Sequence, residues 1–147
     1  MIPQKVESVY QLLRATLGVI ALAAGLDKFV GLLASWSLYL APPVADLLGG
    51  AAGWFMAAVG VVEVLVGLAI LSGGTRVFGY VMCGWLVAIA CNLVIGGWYD
   101  IAIRDLAIAA AAFSLARIAE ARAEPAEVLD LERPAREPTR ARELARR

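Results

Sequence analysis

Four apolar runs, at residues 9–26, 54–71, 77–98 and 101–119, constrain this chain more than any other feature. Each approaches the ~20 residues a helix needs to cross a ~30 Å hydrocarbon core. Together they make up about half of the 147 residues, a length that allows one domain. Composition points the same way: 61% of the chain is hydrophobic and 18% charged, against roughly 45–50% and 25% in an ordinary soluble domain. A soluble chain of ~150 residues buries only about 70% of its unfolded surface, so as a monomer this one would present a large apolar exterior. None of the runs alternates with period two, which disfavours a spanning barrel. The sequence therefore predicts an all-α fold, a four-helix transmembrane bundle.

The connections refine that picture. Residues 29–40 are apolar but too short to span, so an interfacial or partly re-entrant segment is predicted between the first and second spans, with Pro42 and Pro43 interrupting any helix there. The links around Ser72–Arg76 and Gly96–Asp100 are short glycine turns, which make neighbouring helices antiparallel. No cleavable signal peptide is expected, because Arg14 lies inside the first run, which would serve as its own signal-anchor. Residues 1–119 form the transmembrane domain. Residues 120–147, with seven acidic and seven basic side chains and three prolines, form a charged cytoplasmic tail, disordered or partly helical. Lys5, Arg14, Arg76, Arg117 and Arg122 fall on one side of the predicted membrane, so both termini are expected in the cytoplasm.

Ionisable residues inside spans are the informative ones, since a charge at the bilayer centre costs roughly 2.5–3.5 kcal/mol even on the gentlest scale. Glu63 is the deepest, ~12–14 Å from either end of its run. It should face the bundle and either pair with a cation or be protonated, and Gly60 and Gly67 clear space along its face. The first helix offers Arg14 and Lys28, fourteen residues apart and so within ~40° on the helical wheel, with Gly18, Ala21 and Gly25 on the stripe between them. Arg14 has an alternative, to snorkel to the interface. Asp27, Lys28, Asn92, Arg104 and Asp105 are expected at one depth near the outer ends, with Glu63 below them. Two readings stay open: interhelical bonds that fix bundle register, or a polar pocket that binds a ligand.

Trp36, Tyr39, Trp54, Trp98 and Tyr99 suit an aromatic belt. Trp85 falls outside it, as a core packer or a pocket wall. Cys83 and Cys91 lie ~12 Å apart along a helix, too far for a mutual disulfide. The chain has no histidine and two cysteines, which removes the usual haem ligand and any four-cysteine cluster or zinc site. No catalytic residue, intrinsic cofactor, metal site or nucleic-acid patch is predicted.

The stretches LLRATLGVIALAAGLDKF, GVVEVLVGLAILSGGTR and RDLAIAAAAFSLA, in that order, resemble the DoxX-like family of small four-helix bacterial membrane proteins, over about residues 10–118. The closest parts are Arg14 followed by Gly18, the GLDKF end of the first helix, and Glu63 followed by Gly67. The resemblance implies a bacterial inner-membrane partner of oxidoreductases, related to the membrane subunit of thiosulfate:quinone oxidoreductases. It carries Arg14, Lys28 and Glu63 over as the family's polar positions. The long charged tail departs from a minimal member.

The functional expectation is a subunit or anchor of a quinone-linked oxidoreductase complex, docking redox enzyme subunits in membrane lipid and bordering a menaquinone or ubiquinone site. Arg14, Lys28, Glu63, Trp85, Asn92, Arg104 and Asp105 are its candidate residues. Electrons would come from the partner's cofactor. A homo-oligomer through the glycine faces is open. The alternatives are a small-solute or proton-coupled transporter using Glu63, or a purely structural anchor or assembly factor.

Overall fold

The computed structural model describes residues 4–144, with side chains for residues 4–123. The described residues form helices and turns, with no strand. Helix α1 runs Gln4–Val30 and stops where Gly31 takes a left-handed conformation (φ 69°), its N–H donating to the Asp27 carbonyl at 2.6 Å. A 3₁₀ turn, Trp36–Tyr39, leads to α2, Pro42–Leu48. The two prolines begin this short helix, where the lack of an N–H does no harm. A second 3₁₀ turn, Gly49–Ala51, joins it to α3, Ala52–Leu71.

Helix α4 runs Thr75–Ile95 and α5 runs Tyr99–Leu144. The sequence extends the third run to Trp98, but α4 ends three residues earlier. Gly97 turns the chain (φ 83°), and the Trp98 N–H closes back on the Leu93 carbonyl at 2.8 Å. Helix α5 carries on past residue 119 into the charged segment. Apolarity runs out at that point, but the alanine, glutamate and arginine that follow are good helix formers, so a change of polarity does not itself end a helix.

The four long helices pack as two pairs, α1 on α3 and α4 on α5, with lighter contact between α1 and α5 and between α3 and α4. Glycine sets the first pair. A Cβ at Gly25 would lie 2.7 Å from the Gly60 carbonyl oxygen, and one at Gly67 would lie 2.9 Å from that of Gly18. Rising residue numbers on α1 meet falling ones on α3, so the pair is antiparallel. Seven-residue spacing keeps both glycines of each helix on one stripe. The second pair closes where Gly79 meets Ala112 and Ala116, beside the edge-on rings of Tyr80 and Phe113. Between the pairs lies a core that includes Tyr10, Leu17, Val66, Ile70, Met82 and Leu115.

The outward faces are apolar: Leu12, Val19, Leu65, Val77 and Ile103 are exposed. Among the described residues, three helical stretches, Gln4–Val30, Pro42–Leu71 and Thr75–Ile95, are long and apolar enough to cross a membrane, which marks the chain as a membrane protein. Arg104, Asp105 and Arg117 stand in the fourth predicted run.

Candidate functional site

The deepest charge of the sequence meets its partner at the end of α1. Lys28 Nζ donates to Glu63 Oε2 at 2.6 Å, and the two side chains are only 5% and 9% exposed. Gly60 makes this approach possible, because a Cβ there would stand 3.1 Å from the Lys28 Cβ. The Lys28 ammonium also lies 3.8 Å from the centre of the Trp36 ring, which covers it.

The neighbouring Asp27 gathers the segment that carries this ring. Its Oδ1 accepts the N–H groups of Leu32 and Leu33 at 2.8 and 2.9 Å, and its Oδ2 accepts those of Ala34 and of the Trp36 indole at 3.2 and 2.7 Å. A single carboxylate thus satisfies three backbone donors of the non-helical stretch that follows α1 and orients the tryptophan over the lysine. Asp27→Ala is expected to remove about 2 kcal/mol, on the scale of hydrogen bonds to a charged group. Faster amide exchange at Leu32, Leu33 and Ala34, with little change in the core of α4, would be the signature.

The other candidate residues separate. Asn92 serves the backbone of the same segment: its Oδ1 accepts the Ala41 N–H at 2.9 Å and its Nδ2 donates to the Tyr39 carbonyl at 2.7 Å. Arg104 turns outward, 65% exposed, with Asp105 Oδ1 3.6 Å from its Nε. Asp105 itself is buried, within electrostatic reach of Lys28. Arg14 lies at the opposite end of the bundle, where its Nη2 donates to the Leu71 carbonyl and its Nη1 to Gln11 Oε1 at 3.5 Å. Arg14 and Lys28 share a face, but fourteen residues separate them by ~21 Å along the axis, and the antiparallel register brings only Lys28 to Glu63. Of the polar residues expected near the outer ends, Lys28 is joined to Glu63 below it, Asp27 and Asn92 hold the segment between α1 and α3, and Arg104 faces out.

Two features have little sequence signal. Trp36 reads as a belt residue, yet it is bonded on one side to Asp27 and stacked on the other against Lys28. At the far end, Arg122 donates to both oxygens of Glu7 at 2.8 and 2.9 Å and lies 3.8 Å over the Tyr10 ring, whose hydroxyl is 2.8 Å from Thr75 Oγ1. That network ties the start of α1, the start of α4 and the root of the charged segment together. Its members are 65 and 115 residues apart in sequence, a separation that local patterning does not reveal.

A small cleft of about 50 Å³, part of it open to the outside, lies in the seam between the two helix pairs. Ala21 and Ala24 of α1, Glu63 and Val66 of α3, and Met82 and Trp85 of α4 line it. That is well below the ~300–1,000 Å³ of small-molecule sites. The Trp85 Nε1 is buried and has no hydrogen-bond partner among the described residues. Lys28 takes Oε2 of Glu63, and among the described residues Oε1 has no partner.

No protein-family model, curated protein or solved structure matches this chain. Among the described residues, no three His, Cys, Asp or Glu side chains gather into a set able to hold a metal ion. Cys83 is half-buried and Cys91 exposed, both as free thiols. The cleft wall carries Glu63 and Trp85 among apolar side chains.

Proposed function

We propose that the chain is an integral membrane subunit of the bacterial cytoplasmic membrane. In this reading it crosses the membrane four times with both termini in the cytoplasm, anchors the redox subunits of an oxidoreductase complex, and borders a site for menaquinone or ubiquinone. The single observation that carries the reading is the buried Trp85 indole N–H, which has no hydrogen-bond partner among the described residues, on the wall of a small seam cleft that Glu63 also lines. A quinone supplies the two-electron carrier chemistry that the chain's own residues lack. Trp85 would donate to a head-group oxygen, Glu63 would face its protons, and the half-exposed Ile20 at the cleft edge would lie along its tail.

Other features support the membrane part. The stretch of α5 between Asp105 and Arg117 carries no charge over eleven residues, ~17 Å of helix, so in a fourth crossing Arg104 and Arg117 would have to reach out of the ~30 Å core along their side chains. Lys5, Arg14, Arg76, Arg117 and Arg122 lie toward one end of the bundle, as cytoplasmic retention of basic residues requires. The DoxX-like motifs support the oxidoreductase part. A purely structural anchor is the second reading, favoured by the fact that Lys28, Asn92 and Arg14 are already engaged by the protein itself.

The test is to solubilise the native chain mildly, then identify the co-purifying proteins and quantify quinone in a solvent extract. Redox subunits and near-stoichiometric quinone are expected, with the quinone falling severalfold in Trp85→Phe while the subunits remain. Subunits without quinone would leave the structural anchor; neither would end the proposal.

A further inference from the structure

The stretch between α1 and α3 turns back along the flank of the bundle instead of leaving it. The Trp36 ring returns to Asp27 and Lys28, which stand within one helical turn of the end of α1. Ala41 returns to Asn92, three residues before the end of α4 and so ~4.5 Å short of it. One side of the stretch is buried: Leu40 and Ala41 are closed off from the outside, and Tyr39 packs against a cluster of Ala90, Leu93 and Ala102. The other side is leucine. Leu32, Leu33, Leu38 and Leu47 are each more than two thirds exposed, and such a face has no favourable place in water.

Resting on the membrane reading and not on the quinone site, we infer that residues 31–48 are a lipid-binding shelf, whose four leucines lie among the acyl chains of the leaflet where α1 ends. An interfacial apolar face sits ~5–10 Å into the boundary between headgroups and chains, and the return to Asp27 and Asn92 places the shelf in that layer. Irregular backbone survives beside hydrocarbon only where its polar groups turn to the protein. Here they do: Asp27 accepts from Leu32, Leu33 and Ala34, and Asn92 accepts from Ala41 and donates to the Tyr39 carbonyl. Pro42 and Pro43 bring no N–H at all. In an aqueous loop, water would serve these groups. Asp46 is the only charge between Lys28 and Glu63 in the sequence, and it stands exposed on α2, where it limits immersion by facing the headgroups.

The experiment uses the full chain in vesicles of phosphatidylcholine and phosphatidylglycerol. In a Cys83→Ala/Cys91→Ala background, Leu32→Cys, Leu38→Cys and Leu47→Cys each carry one nitroxide. Collisions with oxygen, which concentrates in hydrocarbon, are compared with collisions with a water-soluble nickel chelate. Val19→Cys, exposed midway along α1, is the lipid reference, and Lys5→Cys, near its start, the aqueous one. Oxygen is expected to outweigh nickel severalfold at all three leucine sites, as at Val19. Nickel collisions as frequent as at Lys5, with Val19 still favouring oxygen, would overturn the shelf and leave the membrane reading intact. Nickel reaching Val19 as well would overturn both. Protection from both reagents would mean that protein covers the face, which also overturns the shelf. Asn92→Ala should raise nickel collisions at the Leu38 site severalfold, because the freed Ala41 N–H and Tyr39 carbonyl must then find water; no change would overturn the part given to Asn92.

Discussion

Lys28→Met is expected to destabilise the bundle by about 3–5 kcal/mol, the range for leaving one partner of a buried ion pair uncompensated. The size follows from burial: with both side chains under one tenth exposed, Glu63 has no water to turn to when the ammonium is gone. The loss should appear as a lower midpoint of thermal unfolding in mild detergent. Lys28→Met/Glu63→Leu should recover most of it, because an apolar pair of similar volume avoids the desolvation that the ion pair must offset. Trp36→Leu should sit between the two, removing the ring contact of ~0.5–2 kcal/mol together with the indole hydrogen bond to Asp27. A Lys28→Met chain as stable as the native one would show that the pair holds nothing together.

Gly25→Leu should be the most damaging substitution on α1. Even the first carbon of a side chain there would stand 2.7 Å from the Gly60 carbonyl and 2.8 Å from the Val64 nitrogen, and these are backbone atoms that cannot rotate aside. Gly25→Ala is expected to cost about 1–3 kcal/mol by over-packing, with Leu above that range. The helices must part to admit it, and parting them also draws Lys28 from Glu63, so the effect should not add simply to that of Lys28→Met. Gly84→Ala is the control, since nothing lies within 4 Å of a Cβ at that position. It should be neutral or stabilising by up to ~1 kcal/mol through helix propensity. Thermal unfolding of the three variants side by side separates close approach from the general effect of losing a helical glycine.

The helices were legible because length and apolarity suffice to find them, and the α1–α3 contact was foreshadowed by the glycine stripes on the two runs. The pairing of Glu63 was only half legible. A helical wheel gives the face of Arg14 and Lys28 but not their height, and height is set by a register that depends on which glycines meet. Asn92 looked like a pocket donor because an amide within a span needs partners, yet the backbone at Tyr39 and Ala41 supplies both. Those partners come from a non-helical segment whose path no periodicity describes. Arg104 next to Asp105 suggested a charged cluster, but adjacent residues on a helix point about 100° apart, so one can be buried while the other faces out. The seam cleft was invisible in the sequence, because it arises where two helix pairs meet rather than within any one of them.

The most direct measurement on the proposed site is tryptophan fluorescence of the full chain in nanodiscs during titration with a short-chain benzoquinone, native protein beside Trp85→Phe. The expected result is a saturable quenching component in the native chain that Trp85→Phe lacks, above a non-saturating background common to both. The same saturable quenching in Trp85→Phe, or none in the native chain at concentrations approaching 1 mM, where binding is worth only about 4 kcal/mol, would contradict a quinone site at the Glu63–Trp85 seam.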